Sequence, residues 1–263
     1  MISRIKTTVA AVAAAAALST GAHAEPGQRI PETQTVRNVV LVHGAFADGS
    51  GWRGVYDDLT ARGYRVTIVQ NPLTSLADDV AATRRAIARQ DGGVILVGHS
   101  WGGAVITEAG VDEKVKGLVY VSALTPDVGE TAFEQYADFG IPSTFVIDEQ
   151  ADGFGFINLE RFQEGFAADV DDADAAFMRD SQVPIAMSVF TTPLTQAAWR
   201  TRPSWFIVAT EDAAIDPLML RQQARKIGAE VREIEASHVP MVSRPREVAD
   251  VIDQAAISAS RNQ

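Results

Sequence analysis

Ser100 stands in the stretch VILVGHSWGGAV, between Gly98 and Gly102, with His99 and Trp101 as immediate neighbours. The five residues from Gly98 match G-x-S-x-G, a pattern that can hold a serine as a nucleophile. Glycine and serine are common, so the pattern alone is weak and its setting must carry the reading. That setting is favourable: an apolar run, GVILVG (93–98), leads into the serine, and a helical stretch (100–109) leads away from it. A sharp strand-to-helix turn forces the serine into a strained backbone conformation. Residues two before and two after it then pack against each other, which explains glycine at both places. The helix start adds unpaired N–H groups and the positive end of a dipole.

A serine nucleophile needs a base, an acid to orient that base, and donors for an oxyanion. The chain has four histidines. His23 lies in the amino-terminal leader, His43 ends the first strand and reads as a brace for the following loop, and His99 should point away from the Ser100 hydroxyl. His238, in EASHVPM just after the last strand, is the expected base. In this order of elements the acid falls between the serine and the histidine. Asp212, in IVATEDAAIDP, follows a strand and is the expected acid; Asp127 is the runner-up, and Asp216 before Pro217 reads as a helix cap. The oxyanion donors are expected to be the backbone N–H of Trp101 and that of Ala45, with Phe46 a weaker alternative to Ala45. Phe46 and Trp101 are also the residues expected to touch substrate.

Other chemistries fail on named residues. GAFADGS (44–50) has the glycine spacing of a phosphate loop but ends in Ser50 where lysine is required, and no G-x-G-x-x-G follows the first strand. The acidic run DVDDAD (169–174) lacks the glycine and final glutamate of a calcium loop and reads as a solvated helix start. There is no cysteine, hence neither disulfide nor thiolate chemistry. No cofactor and no metal is expected. The net charge of −11 opposes nucleic acid and anionic lipid surfaces. Expected partners are a small-molecule ester and at most a second copy of the chain: monomer or homodimer.

The elements that must position these groups alternate. Strands are expected at VRNVVLVHG (36–44), YRVTIVQ (64–70), GVILVG (93–98), VKGLVYVSA (115–123), SWFIVAT (204–210) and AEVREIEA (229–236). Helices are expected over 52–62, 76–90, 100–109, 217–227 and 245 to about 258. Strands apolar on both faces, alternating with helices, imply an α/β fold: a mostly parallel sheet with helices on both sides. The alternation breaks at about 126–202, where aromatics stand among acidic residues and no strong strand recurs. An insertion between two strands of such a sheet is placed to form a lid, because ligands bind at the carboxyl ends of the strands. Its aromatics point to a small apolar or aromatic substrate group.

The amino terminus reads differently. Arg4 and Lys6, a short apolar run and AHA before Glu25 have the layout of a cleaved export signal. Residues 1–24 are therefore expected to be removed, leaving one domain over 25–263 with net charge −13, periplasmic or secreted. No other apolar run is long enough for a membrane span, so stable membrane insertion is not expected.

Together VLVHGAFADGSGW, VGHSWGG, ATEDAAIDP and ASHVPMVSRP resemble the α/β-hydrolase superfamily, over about 39–252. The chain looks most like the branch of methylesterases, hydroxynitrile lyases and bacterial esterases. The resemblance implies a sheet of the eight-stranded type, a helical cap and a Ser100–His238–Asp212 triad. Lyases of this branch carry Thr after the first strand and Lys after the catalytic histidine; here those places hold Ala45 and Val239, which favours hydrolysis. The expected activity is that of a serine-dependent carboxylesterase. A cofactor-free perhydrolase or a C–C bond hydrolase would use the same triad, and a ligand-binding receptor or carrier is the non-enzymatic alternative.

Overall fold

The computed structural model describes residues 35–261; the expected export signal lies outside them. From the amino-terminal side run β1 (Asn38–Val42), α1 (Arg53–Arg62), β2 (Arg65–Val69), α2 (Leu76–Ala88), β3 (Val94–His99), α3 (Trp101–Ala109) and β4 (Val115–Val121). The next segment carries β5 (Ile147–Glu149), β6 (Phe154–Ile157), α4 (Phe162–Phe166), α5 (Asp172–Asp180) and β7 (Ile185–Ala186). Alternation then resumes with β8 (Ser204–Ala209), α6 (Pro217–Lys226), β9 (Glu230–Ile234), α7 (Pro240–Ser243) and α8 (Pro245–Arg261).

The main sheet has the order β2-β1-β3-β4-β8-β9, and every neighbouring pair is parallel. Its inner strands β1, β3 and β8 are buried along their whole length, which is why they read as nearly continuous apolar runs. Of the edge strands, β9 is largely exposed and β2 is mostly half-buried. From β1 the chain steps outward to β2, then returns across β1 to β3. With right-handed crossovers, α1 must cover one face and α2 and α3 the other. Accordingly α1 packs on α8 and α2 packs on α3. The winding reverses between β1 and β3, and a crevice opens outside their carboxyl ends. Ser100 follows β3 and Ala45 follows β1, so the topology brings both to that crevice.

Two expectations need correction. The sheet has six strands among the described residues, not the eight that the resemblance implied. The segment between β4 and β8 is not purely helical: β5, β6 and β7 form a small antiparallel sheet. Strands of two to four residues are too short to show a period of two, so the sequence does not announce them. Among the described residues no helix is long and apolar enough to cross a membrane.

Candidate active site

Ser100 sits between β3 and α3 with φ 53° and ψ −120°, a region that L-residues rarely occupy. Such strain costs about 1–3 kcal/mol and persists only where the surroundings over-determine it. Here they do. The Ser100 N–H donates to the Val121 carbonyl (3.1 Å), and the Ser100 carbonyl accepts from the N–H groups of Gly103 (2.9 Å) and Leu124 (3.2 Å). A Cβ on Gly98 would lie 2.4 Å from the Gly102 carbonyl oxygen, and one on Gly102 would lie 2.7 Å from that of Val42. The turn is thus pressed between β1 and the start of α3, with no room for either side chain.

His238 and Asp212 meet beside this turn. His238 Nδ1 is 2.7 Å from Asp212 Oδ2, with both side chains buried. Asp212 Oδ1 accepts from the N–H groups of Ala214 (2.9 Å) and Ile215 (2.8 Å). Three donors therefore converge on one carboxylate, which holds it in place and selects the His238 tautomer with the proton on Nδ1. That leaves Nε2 with a free lone pair, as a general base requires. The loops carrying the two residues are joined by the Glu211 N–H, which donates to the Ala236 carbonyl (3.1 Å).

The other two described histidines are held by backbone groups. His99 Nε2 lies 2.9 Å from the His238 carbonyl, and the two rings are 4.8 Å apart. Burial, then the neighbouring His238, drives the His99 pKa well below its usual value, so a neutral His99 donates through Nε2–H. The residue before Ser100 thereby anchors the backbone of the His238 loop. His43 accepts from the Asn71 N–H through Nε2 (2.9 Å) and so donates through Nδ1–H to the Gly44 carbonyl (2.9 Å). Burial lowers its pKa as well. Of the other acids considered, Asp127 pairs with Arg200 (2.7 Å) and Asp216 caps α6 through the Leu218 N–H (2.7 Å). Asp171, in the acidic run, caps α5 through the Ala173 N–H (3.0 Å).

The loop after β1 lies directly on the serine: a Cβ on Gly44 would come 2.8 Å from Ser100 Cβ. Ala45 and Phe46 follow, both buried, with Phe46 at φ 61°. Trp101 opens α3, where the first N–H groups of a helix have no partner within it.

A family model for the alpha/beta hydrolase family matches residues 39–251. The chain belongs to this family. A pyrethroid hydrolase from Sphingobium wenxiniae is 31% identical over 251 residues, covering 83% of this chain and 87% of that protein. A carbendazim hydrolyzing esterase from a Nocardioides species is 27% identical, covering 81% and 97%. Putative methylesterase 12 of Arabidopsis thaliana is 25% identical, covering 84% and 72%. Among solved structures, polyneuridine aldehyde esterase superposes with a TM-score of 0.73 at 21% identity, covering 83% of this chain and 98% of that one. The branch named from the motifs is therefore the one in which the relatives fall.

In this alpha/beta hydrolase the segment between β4 and β8 covers the crevice with aromatic rings. Phe166 lies 5.0 Å from the His238 ring and stacks on Phe145, which meets Phe46 edge-on at 6.1 Å. Phe190 meets Trp101 edge-on at 5.6 Å. An apolar cavity of about 210 Å³ opens behind these rings, lined by Phe133, Tyr136, Ile141, Phe145, Met187 and Phe190. Burial, then the nearby Asp212 carboxylate, pushes the Tyr136 phenol up. Sequence reasoning missed Phe190 and Asp79. Asp79 is fully buried under Trp101, whose Nε1–H donates to it at 2.8 Å. In the sequence it is one more acid in the first turn of a helix, and nothing there separates it from its exposed neighbour Asp78.

Proposed function

We propose that the protein is a serine hydrolase that cleaves a carboxylic ester carrying a small apolar or aromatic group, through an acyl-enzyme on Ser100. His238 Nε2 takes the hydroxyl proton as Ser100 Oγ attacks the ester carbonyl, while Asp212 holds the imidazole and stabilises its charged form. The N–H groups of Ala45 and Trp101 receive the developing oxyanion. His238 then protonates the departing alcohol and activates the water that releases the acid. The observation that carries this reading is the buried His238–Asp212 hydrogen bond of 2.7 Å beside a strained Ser100. Relatives named as esterases support an ester as the substrate. The aromatic rings around the apolar cavity support the substrate class, with Phe46 and Trp101 among the residues that touch it. The amino-terminal pattern supports export, so a periplasmic or secreted enzyme is part of the proposal.

The test is hydrolysis of p-nitrophenyl butyrate by the mature chain and by Ser100→Ala. The variant is expected to lose on the order of 10³-fold or more in kcat. Covalent labelling by a fluorophosphonate should map to Ser100 in the parent. Equal rates for parent and variant, or labelling elsewhere, overturn the reading.

A further inference from the structure

Asp79 lies in the first turn of α2, with no exposed surface and, among the described residues, no ion pair. Burial, with Asp78 nearby, raises its pKa to about 6, although its hydrogen bonds favour the charged form. A buried acid held this way has a structural cost, and the proposed chemistry at Ser100 makes no use of it. Its two oxygens have different partners. Oδ2 accepts from the Trp101 indole N–H (2.8 Å), and Oδ1 accepts from the Leu73 N–H (2.8 Å).

Both bonds lead to the same place. The Trp101 ring meets Phe190 edge-on at 5.6 Å. Leu73 is held at φ 58°, a left-handed conformation unusual for leucine, and its carbonyl accepts from the Ala186 N–H (2.9 Å). Ala186 ends β7, and the chain passes at once into the 3-10 turn Met187–Thr191. That turn carries Met187, Phe190 and Thr191, which together form one wall of the apolar cavity. One carboxylate therefore secures the turn twice, by a ring through Trp101 and by the backbone through Leu73.

We propose that Asp79 is a positioning residue that fixes the Met187–Thr191 wall of the apolar cavity and so determines how tightly the aryl group of an ester is held. The substrate class rests on the esterase reading above; the placement of the wall does not. Asparagine cannot replace the carboxylate, because it offers one acceptor oxygen and turns an NH2 group toward the second donor. Either Trp101 or Leu73 loses its partner in Asp79→Asn.

The experiment uses the mature chain, ethyl acetate and 1-naphthyl acetate as esters, and the non-hydrolysable ketone 1-acetylnaphthalene as an equilibrium probe by calorimetry. Asp79→Asn should raise KM for 1-naphthyl acetate and Kd for the ketone about tenfold, while kcat on ethyl acetate stays within about twofold. Ala186→Pro cuts only the backbone arm: Ala186 has φ −64°, which proline adopts, and the change removes the N–H that Leu73 binds. It should produce the same selective loss, and it keeps the test open if Asp79→Asn does not fold. In a Trp101→Phe background the indole donor is gone, so the amide oxygen that Asp79→Asn introduces can serve Leu73 unopposed. Adding Asp79→Asn there should weaken ketone binding less than threefold further. Equal fold-losses on both esters, an unchanged Kd in Ala186→Pro, or fully multiplicative effects of Asp79→Asn and Trp101→Phe overturn the proposal. If the parent hydrolyses no ester, the esterase reading fails while the ketone measurements still judge Asp79.

Discussion

At the turn around Ser100 the backbone is confined by backbone. Gly98 faces the Gly102 carbonyl, Gly102 faces the Val42 carbonyl, and Gly103 faces the Leu124 carbonyl, each too closely for a Cβ. The segment between β4 and β8 is attached in another way, by a few hydrogen bonds and by rings. The Thr144 hydroxyl donates to the Ala213 carbonyl (3.0 Å), and Glu108 on α3 accepts from the N–H groups of Thr195 (2.8 Å) and Gln196 (2.9 Å). The Ala186 N–H bond to Leu73 and the Arg244–Asp169 ion pair (3.6 Å) add to these, and Phe145, Phe166 and Phe190 contribute by packing. Main-chain contact at van der Waals distance permits almost no substitution, whereas ring contacts can be repacked with other side chains of similar volume. The turn that carries Ser100 is thus fixed by main-chain contacts, whereas the rings over the crevice are held largely by side-chain packing.

Three substitutions put this contrast to the test. The largest effect is expected at the acid: Asp212→Asn leaves the fold in place but no longer selects the right His238 tautomer, so kcat should fall by about 10⁴. Steady-state kinetics beside a thermal melt check it; a loss below tenfold would remove Asp212 from the proposed triad. Next comes the turn itself. Gly98→Ala sets a methyl 2.4 Å from a backbone oxygen that cannot swing aside, and should lower unfolding free energy by about 3 kcal/mol. Urea unfolding reads this, and a change under 1 kcal/mol would mean that the turn is looser than its geometry. The smallest change in stability is expected over the crevice. Phe133 is 56% exposed at the rim of the apolar cavity, so Phe133→Ala should shift stability by no more than about 0.5 kcal/mol. KM for 1-naphthyl acetate should nonetheless rise a few-fold; a large loss of stability there would erase the distinction between the two regions.

Much of the first region was legible beforehand. Apolar strands ending in HGAF and GHSWGG, with Asp212 and His238 each just past a later strand, carry the whole arrangement in local patterns. Asp216 read as a helix cap and His43 as a loop brace from the same kind of signal, and the structure gives each the matching partner. The second region was not legible. β7 is two residues long, and Asp79 looks like any acid at a helix start. What singles out Asp79 is Trp101, 22 positions away, and Leu73, whose left-handed backbone has both its N–H and its carbonyl hydrogen-bonded in the fold.

The alternation of main-sheet strands and helices along the chain, and which serine, histidine and acid stand at strand ends, follow from the sequence alone. Strand period, glycine spacing and turn chemistry are local and survive without a fold. The strand order that winds the main sheet, the small antiparallel sheet over the crevice, the neutral His99 that anchors the His238 backbone, and the carboxylate beneath Trp101 emerge only in three dimensions. These depend on burial and on contacts between distant segments, and burial changes what a side chain must do only once its neighbours have closed around it.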